Sequence, residues 1–457
     1  MRLKLALSPF YWTVFRLALP VTVQQIVTSS SSIVDNLMVS VLGTEPIGAV
    51  GAVGKFLQIF FFAVYGVSSS GAGFIAQFSA RKDEKGVQRV MGATLFCNII
   101  LAILFTVFSI LHTDRIVDAF TKDPATKGYA KEYLLVMSFG YIFHSISFTY
   151  SFALRTIKKA SLALYIILFS QMFNVFFNHL LIQGNGPFPA LGVKGAALAS
   201  VLAKVIEMFL ILFFVYRNGY PIAGTLKTML DFPVSFLFRF LEIAFPLTLN
   251  ELLWALGLAI YQIFFGRMGS DAMAAYSMIA PFEQFFITAF IGFSSAALVM
   301  VGEYIGENKR DEAYDCAVKF YKISLFTSIV LGSIIFISAD KIISIYSYMG
   351  DKAINDQAVV YGVNLLRILG LGLFIRVYNL VSYAGILKSS GDSLFLFISE
   401  TFSLWLVGVP LAFLASHTFK MEPHYVYGML YVEEGFKAFL VARRFSSKKW
   451  IKNLIDI

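Results

Sequence analysis

The chain has 457 residues, of which 58% are hydrophobic and only 14% are charged. Soluble domains carry about 25% charged residues, so this composition excludes a soluble globular protein and predicts an all-α polytopic membrane protein. The net charge of +9 then describes the loops beside the membrane and is no sign of nucleic-acid binding.

Twelve hydrophobic runs are each long enough to cross a membrane, which takes about 20 mostly apolar residues. An even number of spans puts both termini on one side. Lys and Arg residues are more frequent in the loops on that side, as is typical of cytoplasmic loops, so we expect both termini in the cytoplasm. The predicted spans are roughly 13–42, 49–79, 90–111, 132–154, 161–183, 191–216, 238–266, 273–304, 318–338, 359–387, 393–415 and 425–442.

The first span carries a polar stripe that ends in a carboxylate. Its members fall within roughly 60° of one another on a helix, and they are Gln24, Thr28, Ser31 and Asp35. A carboxylate inside a membrane costs at least about 2.5 kcal/mol, so it usually faces a water-filled cavity or a partner. We interpret Asp35 as a functional residue. A helix-packing contact, with Ser and Thr as small interface residues, is the structural alternative.

Span 5 carries two amides on one helix face. Asn174 and Asn178 are four residues apart, among apolar neighbours, so their side chains lie one turn from each other. If spans 1 and 5 line the same cavity, these amides could coordinate an ion or hydrogen-bond Asp35. Packing between helices is the other interpretation of the pair.

The two halves of the chain resemble each other when the sequence is shifted by 226 residues. The aligned pairs are Pro20 with Pro246, Gln24 with Asn250, Asp35 with Tyr261, Gly43 with Gly269, and Gly66 with Gly292. Because six spans return the chain to its starting side, the halves are parallel repeats, an architecture of transporters with a central site. We predict an N-terminal six-helix lobe (1–216), a cytoplasmic linker (217–237) and a C-terminal six-helix lobe (238–457).

The second half also contains a candidate intramembrane acid. Glu251 follows Pro246 by five residues, and a helix frees a backbone carbonyl near a proline. Glu251 is therefore a candidate second-lobe site, or an interfacial acid paired with Arg239 or Lys204.

Further charged residues lie in the later spans. Arg367 and Arg376 of span 10 could be counter-charges for an acid that the sequence does not identify. In span 12, Lys437 is placed to pair with Glu433 one turn away.

Enzyme signatures are missing from the sequence, which has no HExxH, GxSxG, Walker A or Rossmann motif. Among the histidines only His144 and His179 suit an intramembrane enzyme, and neither has an evident partner, so we predict a protein that is not an enzyme. Without a Walker A motif, an ion gradient is the remaining common energy source. We expect no cofactor and no metal other than Na⁺ at Asp35, with H⁺ or Na⁺ as the coupling ion.

Two motifs in the first half resemble the multidrug and toxic compound extrusion (MATE) family of bacterial transporters. The run from Asn174 to Gly184 follows N-x3-[ND]-x3-hydrophobic-x-G, and the run that ends at Ser200 follows P-x-L-G-x-x-G-A-A-x-A-[TS]. Leu19-Pro20 with Asp35 also fits, and the resemblance covers nearly the whole chain.

This resemblance implies two six-helix bundles around a V-shaped central cleft, and efflux of mostly cationic, amphipathic compounds driven by inward Na⁺ or H⁺. In prokaryotic members an Asp of span 1, here Asp35, binds the coupling cation. Residues matching Asn174, Asn178 and Ser200 lie around it. Some members have Asp where this chain has Asn178.

The family's other arrangement uses acids of spans 7 and 10. Glu251 lies about one turn from the expected span-7 acid, and span 10 here has Arg376 and Asn379 instead of an acid.

We therefore expect an ion-coupled antiporter of the bacterial inner membrane, acting as a monomer on small organic molecules. A cation that binds Asp35 releases span 1, which shifts at a hinge near Pro20, with Pro246 as its counterpart. Gln24, Thr28, Ser31 and Tyr261 would line the cavity. The sequence leaves open the substrates and the choice between H⁺ and Na⁺.

The main alternative is a flippase of the same superfamily for lipid-linked sugars or peptidoglycan precursors. Such a cavity would hold many cations to bind pyrophosphate. The intramembrane cations that the sequence predicts are few, namely Lys55, Lys204, Arg367 and Arg376. A receptor or scaffold would not need the ionisable stripe.

Overall fold

The computed structural model describes residues 9–184, 187–349 and 355–455, and these ranges contain helices and turns but no strand. The helices of the first half are α1 (Pro9–Val39), α2 (Thr44–Ala80), α3 (Glu84–Leu111), α4 (Thr113–Phe120), α5 (Pro124–Thr156), α6 (Ala160–Gln183), α7 (Val193–Arg217) and α8 (Leu226–Leu230). Those of the second half are α9 (Val234–Arg267), α10 (Ser270–Gly306), α11 (Arg310–Met349), α12 (Asp356–Val381), α13 (Leu387–Ser389), α14 (Ser393–Phe402), α15 (Val409–Phe413) and α16 (Pro423–Ser446).

Each of the twelve predicted spans coincides with a long helix of the described chain. The tenth span joins α12 to α13 through π-helical turns at Ser382–Ile386, and the eleventh contains α14, α15 and two more π-helical stretches. Ten of these helices are long and apolar enough to cross a membrane by length and composition. The other two are α5 and α16, which contain many polar side chains. The predicted all-helical, twelve-span fold class is confirmed.

Local sequence signals explain where several helices begin and end. The Asp123 carboxylate caps α5 by accepting a hydrogen bond from the Thr126 backbone N–H at 2.9 Å, and Pro124 occupies the first turn. The Thr126 hydroxyl also donates to this carboxylate, and these bonds hold the pKa of Asp123 below its usual range. At its end, α6 stops at Gly184, which adopts a left-handed conformation.

The chain forms two compact units. The N-terminal unit is Leu19–Thr248, and the C-terminal unit combines Met1–Ala18 with Leu249–Ile457. Both boundaries fall inside long helices, two residues before Pro20 in α1 and two residues after Pro246 in α9. The predicted lobe boundaries at 216 and 238 remain a prediction.

Aromatic packing and buried side-chain hydrogen bonds stabilise the N-terminal unit. The Phe60 ring of α2 lies 4.5 Å from the Tyr141 ring of α5, measured between centroids. Nearby, the Asn98 amide of α3 donates to Ser68 Oγ at 2.9 Å and to Thr149 Oγ1 at 2.8 Å. One amide therefore links α2, α3 and α5.

In the C-terminal unit, α11 and α12 approach each other through glycines. A Cβ added to Gly332 would lie 2.3 Å from the Gly370 carbonyl oxygen, so no larger residue fits. Beyond α16, the Trp450 ring is buried and stacks on Phe445 with centroids 5.5 Å apart.

Candidate cation site

The carboxylate of Asp35 lies at the start of a chain of hydrogen bonds that links α1, α6 and α7. Asn178 Nδ2 donates to Asp35 Oδ1 at 2.7 Å and also to Asn174 Oδ1 at 3.2 Å. Asn174 Nδ2 in turn donates to Ser200 Oγ at 3.3 Å. The structure therefore brings together Asp35, both span-5 amides and Ser200, the set that the family resemblance implied, and it contains a bond from an amide to Asp35, one of the two roles considered for these amides.

This cluster presents oxygen atoms in a largely buried setting. Asn174 and Asn178 are buried, and Asp35 is half-buried. The Asn178 Oδ1 atom accepts no hydrogen bond from any described residue. A buried carbonyl oxygen without a donor is costly unless something else binds it. Beside a carboxylate it is a suitable ligand for a proton or a small cation.

The charge on Asp35 has one attractive neighbour in the same unit. Lys204 interacts favourably with it, but the Lys204 ammonium also pairs with Glu207 Oε2 at 2.6 Å. Because Lys204 has its own carboxylate, Asp35 still depends on the Asn178 amide for a direct partner.

The remaining residues of the span-1 stripe do not continue this hydrogen-bond chain. Gln24 is buried and donates to Ser151 Oγ at 3.0 Å, whereas Ser31 donates to Gln171 Oε1. Thr28 is exposed and donates to the Gln24 carbonyl of its own helix. The stripe therefore contacts both α5 and α6, and only its last member belongs to the Asp35 cluster.

The second-lobe candidate Glu251 is neutralised by a lysine. Lys388 Nζ donates to Glu251 Oε1 at 2.7 Å, with side-chain exposures of 4% and 15%. The predicted alternative, in which Glu251 pairs with Arg239 or Lys204, is wrong, since Glu251 pairs with Lys388 and Lys204 pairs with Glu207. The predicted tenth span ended at residue 387 and so left out Lys388, but the helix continues through α13 and buries this side chain. Their 137-residue separation left no spacing signal.

Tyr261, the repeat counterpart of Asp35, also contacts a carboxylate. Its hydroxyl donates to Glu433 Oε2 of α16 at 2.7 Å. This contact needs Gly408, because a Cβ at that position would lie 2.2 Å from the tyrosine oxygen. Lys437 Nζ lies 2.9 Å from Glu433 Oε1 and equally far from Glu434 Oε1. The pairing of Lys437 with Glu433 predicted from the sequence is confirmed.

The two arginines of span 10 also have acidic partners. Arg376 pairs with Glu283 of α10, which also accepts from the Tyr427 hydroxyl. Arg367 pairs with Asp340 at 2.7 Å in an exposed position. The sequence identified the arginines as counter-charges, but not the acids, because those acids lie on other helices.

His144 is placed among aromatic rings. Its imidazole centroid lies 4.5 Å from the Phe61 ring and 5.5 Å from the Phe148 ring. The structure thus gives this histidine a packing role.

Comparison with known proteins decides the family. The MatE family model matches residues 20–180 and, a second time, residues 246–414. The chain belongs to the MATE family of membrane transporters. The two matches start 226 residues apart, which is the repeat offset that the sequence predicts.

Individual relatives agree with this assignment. The "Probable multidrug resistance protein YoeA" of Bacillus subtilis (strain 168) is 22% identical over 82% of this chain and 81% of its own length. The "Probable multidrug resistance protein NorM" of Photorhabdus laumondii subsp. laumondii is 25% identical, covering 87% of this chain and 86% of its own. A crystal structure of a MATE in the bent conformation has the same fold, with a TM-score of 0.86, 18% identity and 97% coverage of both chains.

Proposed function

We propose that this MATE transporter is a cation-coupled antiporter that exports cationic, amphipathic compounds across the bacterial inner membrane. It would work as a monomer, with both termini in the cytoplasm and without a cofactor. The multidrug resistance names of its relatives support this substrate class. The observation that carries the coupling proposal is the bond between Asp35 and Asn178, next to the unbonded oxygen Asn178 Oδ1.

The cluster suits a step in which cation binding changes the charge of α1. With Asp35 charged, the carboxylate holds the Asn178 amide and ties α1 to α6. A proton or Na⁺ taken up at Asp35 neutralises the carboxylate and weakens this tie. The helix is then free to move near Pro20 and displace a cationic substrate.

The choice between H⁺ and Na⁺ rests on the ligand set. Na⁺ would take oxygens from Asp35, the two amides and Ser200, whereas a proton needs only the carboxylate and an acceptor. Both ions therefore remain candidates, and the test must supply them separately.

The flippase alternative has weaker support. Five intramembrane cations already have acidic partners, and these are Lys204, Arg367, Arg376, Lys388 and Lys437. Lys388 and Lys437 were not counted as intramembrane cations from the sequence. Because paired cations are less available to a pyrophosphate, their number does not favour a flippase.

Asp35→Asn tests the coupling role directly. We expect this variant to lose ion-driven ethidium efflux in proteoliposomes almost completely, since the amide cannot change charge. Ser32→Ala is the matched control in the same helix, because Ser32 is exposed and donates to the Ser29 carbonyl of its own helix. Wild-type efflux rates in Asp35→Asn would contradict the proposal.

A further inference from the structure

In each unit a carboxylate is bonded to a buried carboxamide, and these two pairs lie on equivalent helices of the repeat. In the N-terminal unit the acid, Asp35, is on α1 and the amide, Asn178, is on α6. In the C-terminal unit the amide, Asn250, is on α9, the repeat of α1, and the acid, Glu400, is on α14. The helix α14 begins the fifth span of its half, as α6 is the fifth span of the other. The two units therefore have an acid–amide pair on equivalent helices, with acid and amide exchanged, although the repeat aligns Asn250 with Gln24 and not with Asp35.

The geometry of the second pair repeats that of the first. Asn250 Nδ2 donates to Glu400 Oε2 at 2.6 Å. Asn250 is only 4% exposed, and its Oδ1 atom accepts no hydrogen bond within the described part of the chain. As at Asn178, a buried amide oxygen without a donor lies beside a carboxylate.

Glu400 lacks the lysine partner that its acidic neighbours have. Glu251 contacts Lys388, and Glu434 contacts both Lys437 and the Asn379 amide. Glu400 has the Asn250 amide as its partner and forms no ion pair among the described residues. Charged groups on the surrounding helices interact electrostatically with the Glu400 carboxylate. Lys437 of α16 attracts it, and both Glu251 of α9 and Glu434 of α16 repel it.

A further titratable neighbour of Glu400 is Tyr383 of the π-helical turn, whose hydroxyl shares a hydrogen bond with Ser399 at 2.8 Å. Lys388 is paired with Glu251, and Lys437 is paired with Glu433 and Glu434, so within the described residues a negative Glu400 has no cation of its own. A bound cation would provide the missing charge.

We propose that Glu400 and Asn250 bind a second monovalent cation, H⁺ or Na⁺, in the C-terminal unit. A proton on Glu400 would be donated to Asn250 Oδ1, after rotation of the amide. Na⁺ would instead take one oxygen from each side chain. Extended to transport, this inference rests on the proposed antiport and gives a cycle that carries two cations, one in each unit.

Cation counting on the purified chain tests this site without transport. Infrared difference spectra between mildly acidic and neutral pH, compared between wild type and each variant, show whether the replaced carboxyl group binds a proton, and binding of ²²Na⁺ counts sodium sites. We expect two cations per wild-type chain, one in Glu400→Gln, one in Asp35→Asn and none in the double variant. Sites seen by infrared spectroscopy bind H⁺, and sites seen by ²²Na⁺ binding bind Na⁺.

Two controls separate loss of the site from loss of the fold. The double variant Asp340→Asn/Arg367→Met removes an exposed ion pair of the same unit and should still bind two cations. Glu400→Asp keeps the charge and should restore the second cation, with weaker binding because the shorter side chain lies farther from Asn250.

The outcomes distinguish this inference from the proposed function. Two cations in Glu400→Gln, or a wild-type count of one that disappears in Asp35→Asn, would overturn the Glu400 site. Full ion-driven efflux by Asp35→Asn, together with loss of one cation in Glu400→Gln, would overturn the Asp35 coupling role while leaving the second site in place.

Discussion

At the scale of single residues, helical spacing predicted parts of the N-terminal site, and the family resemblance implied that Asp35, Asn174, Asn178 and Ser200 lie together. Asn174 and Asn178 are four apart, and the polar stripe ends in a carboxylate. The pairing of Glu400 with Asn250 was not predictable, because the two residues are 150 apart in sequence and neither belongs to a spaced pair. A polar partner on another helix leaves no periodic signal in one sequence.

Replacing Asn178 by Leu should reduce cation-driven ethidium efflux by about tenfold or more. A hydrogen bond to a charged group contributes about 1.5–3 kcal/mol, and a tenfold effect corresponds to about 1.4 kcal/mol. The variant leaves a charged Asp35 without its amide donor and removes an oxygen ligand. Efflux rates in proteoliposomes measure the loss.

Ser32→Ala is the control for this prediction, because Ser32 is exposed and donates to the Ser29 carbonyl of its own helix. Equal efflux in Asn178→Leu and Ser32→Ala would show that the amide has no part in coupling.

At the scale of elements, the positions of the spans follow from hydropathy, but their irregular ends do not. The π-helical turns of the tenth and eleventh spans and the buried position of Lys388 depend on contacts with other helices. The segment after α16 is another example. Its sequence is typical of a basic, solvent-exposed tail. In the structure, however, the Trp450 side chain is buried and Lys452 donates a hydrogen bond to the carboxylate of Asp392.

This tail and α16 converge on one buried acid. Asp392 is 1% exposed and accepts two hydrogen bonds from the Arg444 guanidinium, at 2.7 and 2.8 Å. Lys452 Nζ lies 2.5 Å from the same carboxylate. The acid thus fixes both the end of α16 and the tail to the start of α14.

Asp392→Ala should lower the unfolding free energy by about 2 kcal/mol. Breaking a buried ion pair costs about 3–5 kcal/mol, and we reduce this figure because both cations are partly exposed. The unfolding midpoint of the detergent-solubilised chain measures the change.

Asp311→Ala provides the comparison, since Asp311 is 88% exposed and pairs with the exposed Lys448. It should change stability by less than about 1 kcal/mol. Equal effects of the two substitutions would contradict the anchoring role of Asp392.

At the scale of the whole molecule, the internal repeat is the feature that the sequence predicted best. The 226-residue offset recurs in the two family matches, and it aligns Pro20 with Pro246. Both prolines lie beside the boundaries between the two units. These boundaries could not be read from hydropathy, because α1 and α9 continue through them as unbroken helices.

Pro20→Ala should stabilise the chain and slow transport. A proline inside a helix costs about 3 kcal/mol relative to alanine, so its removal should raise the unfolding midpoint. It also stiffens α1 at the proposed hinge. We expect several-fold slower ethidium efflux with cation binding at Asp35 retained.

Pro281→Ala is the matched control, because Pro281 lies inside α10 within one unit. It should raise stability without slowing efflux. A Pro20→Ala variant that transports at the wild-type rate would exclude the hinge.

The most direct test of cation-coupled antiport is ethidium efflux from proteoliposomes under separately imposed Na⁺ and pH gradients. We predict that at least one inward cation gradient accelerates efflux by the wild-type chain, and that the same gradient has no effect on Asp35→Asn. Wild-type efflux that responds to neither gradient would contradict secondary antiport itself.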